Sequence, residues 1–282
     1  MKNWFLITLL ALTLVACPTQ NSDDLSNDEL DDLREIFIGE TESTIIHLGV
    51  SETVLLVDKD TNLRLQALPT GCRTIVAGSE TDTDSDTIPD DVTYEFNAAK
   101  CVQSLPDNRS RSKSGRIRLE DSGTAPSIGY RFTFTDFQII ERRFGVLTFT
   151  ETRNGTRSAS LSANKLSLTR ENDLLLELKR PSRLLQTLRN QMNFVFSSVS
   201  PIMPNQPFPA GSIVSSGSVE WSRGTFPSRA YSTSTESPLL TEPTCASQRI
   251  VGGVQLLTRG KLTLRFTYQP CGTAPVVTKT LN

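Results

Sequence analysis

Three aspartates alternate with hydroxyl residues in the stretch Asp82-Thr83-Asp84-Ser85-Asp86-Thr87-Ile88-Pro89-Asp90-Asp91. Carboxylates at every second position of a tight loop turn toward one side, where a hard divalent cation can replace their mutual repulsion with attraction. Calcium takes roughly six to eight oxygen ligands. The expected set is Asp82, Asp84 and Asp86 at loop positions 1, 3 and 5, the main-chain carbonyl of Ile88 at position 7, and Asp90 at position 9.

Other chemistry is poorly supplied. His47 is the single histidine, in Ile45-Ile46-His47-Leu48, and reads as a strand histidine with one hydrogen bond. Ser-His-Asp, Cys-His and HExxH arrangements therefore all depend on it or are absent. No GxSxG elbow and no glycine-rich phosphate loop occurs. Two S-x-x-K matches, Ser110 to Lys113 and Ser162 to Lys165, lie in serine-rich stretches without companion motifs. The expectation is a non-catalytic protein with no catalytic residues.

The aspartate loop resembles the DxDxDGxPD calcium loops of thrombospondin type 3 repeats and of many bacterial surface proteins, and that resemblance implies calcium as the cofactor. Two positions depart from it. Thr87 stands where the sharp turn wants glycine, and Thr93 stands at position 12, with Asp91 and Glu95 as nearby substitutes.

A second resemblance lies at the N-terminus. Lys2 precedes an apolar run from Trp4 to Leu14, too short to cross a bilayer and suited to the core of a signal peptide. The run ends in Leu14-Val15-Ala16-Cys17, which resembles the lipobox of bacterial lipoproteins. The resemblance implies that residues 1–16 are removed and that Cys17 becomes a lipid-anchor residue with a diacylglycerol thioether and an amide-linked fatty acyl chain such as palmitate. Two or more acyl chains anchor stably where one is marginal. Pro18, in place of the aspartate that holds some lipoproteins at the inner membrane, favours the outer membrane. The expected location is the cell envelope, facing periplasm or exterior, with the membrane and an envelope protein, glycan or lipid ligand as partners.

With Cys17 assigned to lipid, four of the five cysteines remain, an even number suited to an oxidising compartment. The pairs nearest in sequence, Cys72–Cys101 and Cys245–Cys271, are the expected disulfides. The first encloses the aspartate loop and is expected to fence it.

Charge is unevenly spread. Asp23, Asp24, Asp28, Glu29, Asp31, Asp32, Glu35, Glu40 and Glu42 face Arg34 alone, although the whole chain has 31 acids against 29 bases. The segment reads as an acidic tether on a mildly basic body. No basic cluster interleaved with aromatics appears, so no nucleic acid partner is expected.

Residues 17–26 read as a flexible tether. Ser26-Asn27-Asp28-Glu29 has the capping-box pattern, and Leu30, Leu33, Ile36 and Phe37 follow at helical spacing, so a short amphipathic helix is expected over 27–38, stopped by Gly39. Beyond it the period becomes two: Tyr130, Phe132 and Phe134 alternate with Arg131, Thr133 and Thr135. A turn is expected at Arg142 to Gly145 and a hairpin at Asn154-Gly155. Further strands are expected at 158–163, 165–170, 174–179, 217–221, 229–235, 249–257 and 261–268. Arg183 to Arg189 reads as a helical turn, the proline-rich segment 201–211 as a long connection, and Arg259-Gly260 as a turn.

The fold class follows: mainly β, an antiparallel meander, sandwich or open barrel with one short N-terminal helix. Residues 27–282 form the β-rich body, as one unit or as sub-lobes 27–200 and 211–282. Such a body serves as a structural or binding lipoprotein. The alternatives are a carrier of hydrophobic ligands whose curved sheet offers Tyr130, Phe132 and Phe134 to a cavity, and a carboxylate-dependent hydrolase.

Overall fold

The computed structural model describes residues 25–46, 71–86, 88–105, 108–123, 128–161, 167–198, 200–201, 209–242, 244–245, 250–271 and 273–282. Among the described residues, helix α1 (Asn27–Ile46) precedes thirteen strands: β1 (Arg73–Ser79), β2 (Asp91–Phe96), β3 (Val102–Leu105), β4 (Arg109–Asp121), β5 (Gly129–Arg143), β6 (Val146–Leu161), β7 (Ser167–Lys179), β8 (Gln186–Ser198), β9 (Gly211–Arg223), β10 (Arg229–Thr241), β11 (Ile250–Arg259), β12 (Leu262–Thr267) and β13 (Val276–Leu281). All belong to one open antiparallel sheet in which neighbours in sequence are neighbours in space, except that β2 and β3 pair with successive halves of β4. The sheet passes from β8 to β9 without a break, so both candidate sub-lobes share it.

One face of this meander is dry. Along β8 the inward residues Gln186, Leu188, Asn190, Met192, Phe194 and Phe196 are all buried while their neighbours are not. Tyr130, Phe132 and Phe134 of β5 face inward as their alternation demands, at 1%, 2% and 6% exposure. Their rings follow one another along the strand in tilted contact, with centroids 5.0 and 6.3 Å apart, and Phe137 extends the row.

Helix α1 covers that face. Ser26 and Glu29 form the reciprocal cap: the Ser26 amide donates to Glu29 Oε2 at 2.9 Å, and the Glu29 amide donates to Ser26 Oγ at 3.3 Å. Leu33 and Phe37 are fully buried, and Phe37 packs on Phe266 of β12 with centroids 5.0 Å apart. The helix continues through Gly39, where the sequence pattern places its end. A glycine inside a helix costs only about 1 kcal/mol, and the buried residues Glu40 and Thr41 hold the next turn.

Those two neighbours also show how far the sheet bends. Glu40 meets β6, β7 and β8, while the Thr41 hydroxyl donates to Gln255 of β11 at 3.4 Å. Strands lie about 4.8 Å apart, so a flat sheet would leave β11 well beyond the reach of adjacent residues on a helix about 10 Å thick. The sheet therefore curls around α1.

Several sequence-based boundaries change. Asn154-Gly155 is no hairpin, because β6 runs straight through it and pairs with β7 in unbroken register. The turn chemistry serves a bulge instead. Asp136 (φ 48°) is the extra residue on β5, and its amide donates to Asn154 Oδ1 at 2.8 Å. Gly155 (φ 115°) passes so close to β7 that a Cβ would sit 2.2 Å from the Asp173 carbonyl. Gly217 makes the same approach to Gln191 from β9. Such glycine kinks are how a sheet acquires curvature.

Of the short strands expected at 158–163, 165–170 and 174–179, residues 158–161 belong to β6 and 167–179 to β7, while 162–166, with Ser162 and Lys165, lie outside the described residues. Gln186–Arg189, expected to be helical, opens β8 instead, with Arg183 in the turn before it. The turns at Phe144-Gly145 and Arg259-Gly260 stand as expected. His47 and Thr87 lie outside the described residues.

The acidic segment is no free tether beyond residue 26, because its side chains dock α1 on the sheet. Asp32, 3% exposed, accepts from Arg223 Nε at 2.6 Å and Arg183 Nη1 at 2.8 Å. Glu35 pairs with Arg180 and Arg183, and Glu29 with Arg229 at 3.0 Å. Deepest is Glu40, whose Oε1 accepts from Arg157 Nη2 at 2.5 Å, Asn190 Nδ2 at 2.8 Å and Asn172 Nδ2 at 3.4 Å. Both members of the Glu40–Arg157 pair are 1% exposed.

Removing one partner of such a pair leaves an uncompensated buried charge. Glu40→Ala is expected to lower the free energy of unfolding in urea by about 3–5 kcal/mol. Glu236→Ala, which opens an exposed pair with Arg265, should cost below about 1 kcal/mol. Equal costs would contradict the docking role of Glu40.

Candidate metal centre

Strands β1 and β2 form a hairpin whose register runs from Arg73↔Phe96 at one end to Ser79↔Asp91 at the other. The aspartate loop is the connection at the Ser79–Asp91 end, and the Asp90 amide closes its base by donating to the Thr81 carbonyl at 2.8 Å. Within it each carboxylate accepts a nearby main-chain N–H, the habit that makes aspartate a turn residue. Ser85 donates to Asp82 Oδ1 at 2.7 Å, Asp86 to Asp84 Oδ1 at 3.3 Å, and Ile88 to Asp86 Oδ1 at 2.8 Å. Ser85, with φ 62°, adopts the left-handed conformation.

These turns bring Asp82, Asp84 and Asp86 together, each offering an oxygen within 4.8 Å of the others. Ile88 is fully buried and pins the loop to the core. Asp90 sits at the loop base, where its Oδ1 accepts from the Thr83 amide and hydroxyl at 3.0 and 3.1 Å. Asp86 is 9% exposed, and its Oδ2 is a buried acceptor with no hydrogen-bond partner. A buried carboxylate oxygen without a donor, on a residue clustered with two other carboxylates, is one whose charge a cation can satisfy.

A further carboxylate lies near this cluster. Asp121, at the end of β4, donates its amide to the Asp90 carbonyl at 3.0 Å and accepts from Gly123 N–H at 2.7 Å. Burial raises its carboxyl above the usual range, against the Gly123 bond, with Asp84, Asp90 and Asp82 adding to the rise. Burial likewise pushes Asp86 up to about 6, against the Ile88 bond and reinforced by Asp121, Asp84 and Asp82. Local spacing carries no sign of Asp121; only the β2–β4 pairing brings it here.

Both expected disulfides form, Cys72–Cys101 with Cα atoms 4.4 Å apart and Cys245–Cys271 with 5.7 Å. The first does not fence the aspartate loop. It ties the opposite end of the β1–β2 hairpin, about 20 Å away along seven residues of β1. The second joins the β10–β11 connection to the β12–β13 connection. Two disulfides fit an oxidising compartment. No helix among the described residues is long and apolar enough to cross a membrane, and Cys17 lies outside them. Ser110 and Lys113 stand three positions apart on β4, hence on opposite faces.

The raised Asp86 carboxyl has a pH signature. An unfolded aspartate ionises near pH 4, whereas Asp86 in the fold holds its proton to about 6. Between these values the unfolded chain binds fewer protons, so stability falls as pH rises. In chelator, the melting temperature is expected to decline from about pH 4 to 6 by more than in Asp86→Asn. Identical pH profiles would show that the cluster is not electrostatically strained.

No protein-family model, no curated protein and no solved structure matches this chain.

Proposed function

We propose that the chain is a lipid-anchored lipoprotein of the cell envelope with a non-catalytic structural or binding role, its sheet edge stabilised by calcium. The observation that carries this reading is the filled interior. A carrier using Tyr130, Phe132 and Phe134 would hold them open to a ligand, and here they are buried in a core shared with α1. The lipobox-like Leu14-Val15-Ala16-Cys17 supports the anchor, and the two disulfides are what an exported chain would use. Outer-membrane placement rests on Pro18.

Calcium finds support in the converging oxygens of Asp82, Asp84 and Asp86, the orphaned Asp86 Oδ2, and Asp121 beside them. When bound, the ion would supply only charge neutralisation and rigidity. It would join the β1–β2 connection to the end of β4, cross-bracing the edge of the sheet.

Binding to the folded state alone raises stability by about 2.7 kcal/mol at a hundred times Kd. Millimolar Ca²⁺ is therefore expected to raise the melting temperature of the soluble body, Mg²⁺ to raise it less, and Asp84→Ala to remove the gain. A melting curve indifferent to Ca²⁺ would end the metal reading. The anchor has its own test: Cys17→Ser should yield a product without acyl chains by mass spectrometry, and normal acylation of that variant would refute it.

A further inference from the structure

The turn between β5 and β6 holds an aromatic side chain where turn chemistry does not favour one. Arg143 pairs with Val146 across it, and the two residues between, Phe144 and Gly145, both have positive φ, 51° and 78°. A two-residue hairpin loop of this kind is a type I′ turn, whose central positions prefer Asn, Asp or Gly. A bulky residue with positive φ is strained, and Phe144, at 70% exposure, gains no core burial in return. Val146 beside it is 68% exposed.

Two more turns at the same end of the sheet repeat the arrangement. In the meander the β5–β6, β7–β8 and β9–β10 connections all lie at one end. Leu184 and Leu185 are exposed in the second and Phe226 in the third. The Gly224 amide donates to the Leu185 carbonyl at 2.7 Å, which ties these two tips together. A single exposed apolar residue is ordinary, but large ones on three alternate hairpins at one end form a set. Adjacent tips stand about 10 Å apart, two strand spacings, so they project as separate points and do not wall a pocket.

Charge and chain length say what they meet. Arg142, Arg143 and Lys261 are exposed at this end and carry no ion pair among the described residues, and the Arg143 guanidinium lies over the Phe144 ring, 5.7 Å from its centre. Asp28 and Asp31 line a cleft with Leu184, so the cations gather on the Phe144 side. Helix α1 begins here too, since Glu29 pairs with Arg229 at the head of β10 and Asp32 with Arg183 of the β7–β8 turn. From Cys17 to Leu25 the chain spans at most about 28 Å. A bilayer holding Cys17 therefore lies near the turns, and apolar side chains flanked by snorkelling cations suit a bilayer interface.

We propose that this end of the sheet docks on a membrane surface, with Phe144, Leu184, Leu185 and Phe226 entering the interface and Arg142 and Arg143 meeting anionic head groups. The orientation rests on the lipobox reading of Cys17, whereas the contact itself needs no acyl chain.

The test uses the mature chain with Cys17→Ser, floated on a density gradient with vesicles of phosphatidylethanolamine and phosphatidylglycerol at millimolar lipid. The chain is expected to rise with the vesicles. Phe144→Asn combined with Phe226→Ser should lower the partition at least tenfold while leaving the melting temperature unchanged or higher, because Asn suits the turn. Arg142→Gln with Arg143→Gln should weaken binding to these vesicles and not to phosphatidylcholine. Val214→Ser, exposed on the outer face beside Val195 near the opposite end of the sheet, should change neither. No flotation, undiminished flotation of the double phenylalanine variant, or an equal loss in Val214→Ser would each overturn the proposal, the first pointing to a protein partner for the tips. Flotation of the Cys17→Ser chain through the phenylalanines supports docking even if the native chain proves to carry no acyl group, a result that would end the anchor alone.

Discussion

The carboxylate of Glu40 is the point around which this fold closes. It lies at 1% exposure against an equally buried Arg157, with Asn172 and Asn190 completing the donors. An ion pair this deep gains little net stability over an apolar contact, since desolvation offsets most of the attraction. Its effect is on geometry. One carboxylate oxygen accepts from three consecutive strands, β6, β7 and β8, so the helix can seat in only one register and these strands must bend toward it.

The rest of the sheet follows that constraint. Asp32, Glu35 and Glu29 repeat the device along the helix, each on arginines from the sheet or its turns. Bending on this scale requires places where the pleat gives way. The Asp136 bulge with its Asn154 cap, and the close backbone approaches at Gly155 and Gly217, supply them. An open meander with one helix inside thus reaches a dry core without closing into a barrel. The exposed edge strand β1 is the place where a disulfide at one end of the hairpin and a carboxylate cluster at the other would matter most.

Much of this was legible in the chain, and what was not has physical causes. Alternation marks β5 at Tyr130, Phe132 and Phe134, whereas β2, with Val92, Tyr94 and Phe96 inward, and β8, with Met192, Phe194 and Phe196 inward, carry the same pattern and are absent from the expected strands. The Ser26–Glu29 cap, the aspartate triad and the two disulfides are local patterns and appeared as such. Alternation failed on β6 and β7, because the inward positions Arg157 and Asn172 are polar. They serve a glutamate more than a hundred residues earlier, so long strands read as short ones broken by turns. Asn154-Gly155 misled for a related reason: hairpin turns and strand kinks both demand positive φ, and sequence does not separate them. Asp121 comes near the triad only through strand pairing, and the acidic helix looked like a tether because its arginines are scattered from Arg157 to Arg229.

If the helix is the interior strut of the sheet, it cannot open while the sheet stays folded. Native-state hydrogen exchange tests this most directly. The amides from Leu33 to Thr41 are expected to exchange only through global unfolding, with the same protection free energy and denaturant dependence as the central strands β7 and β8. Exchange of those amides through a smaller local opening, while β7 and β8 stay protected, would show that α1 is an appendage and that the sheet holds its curve without it.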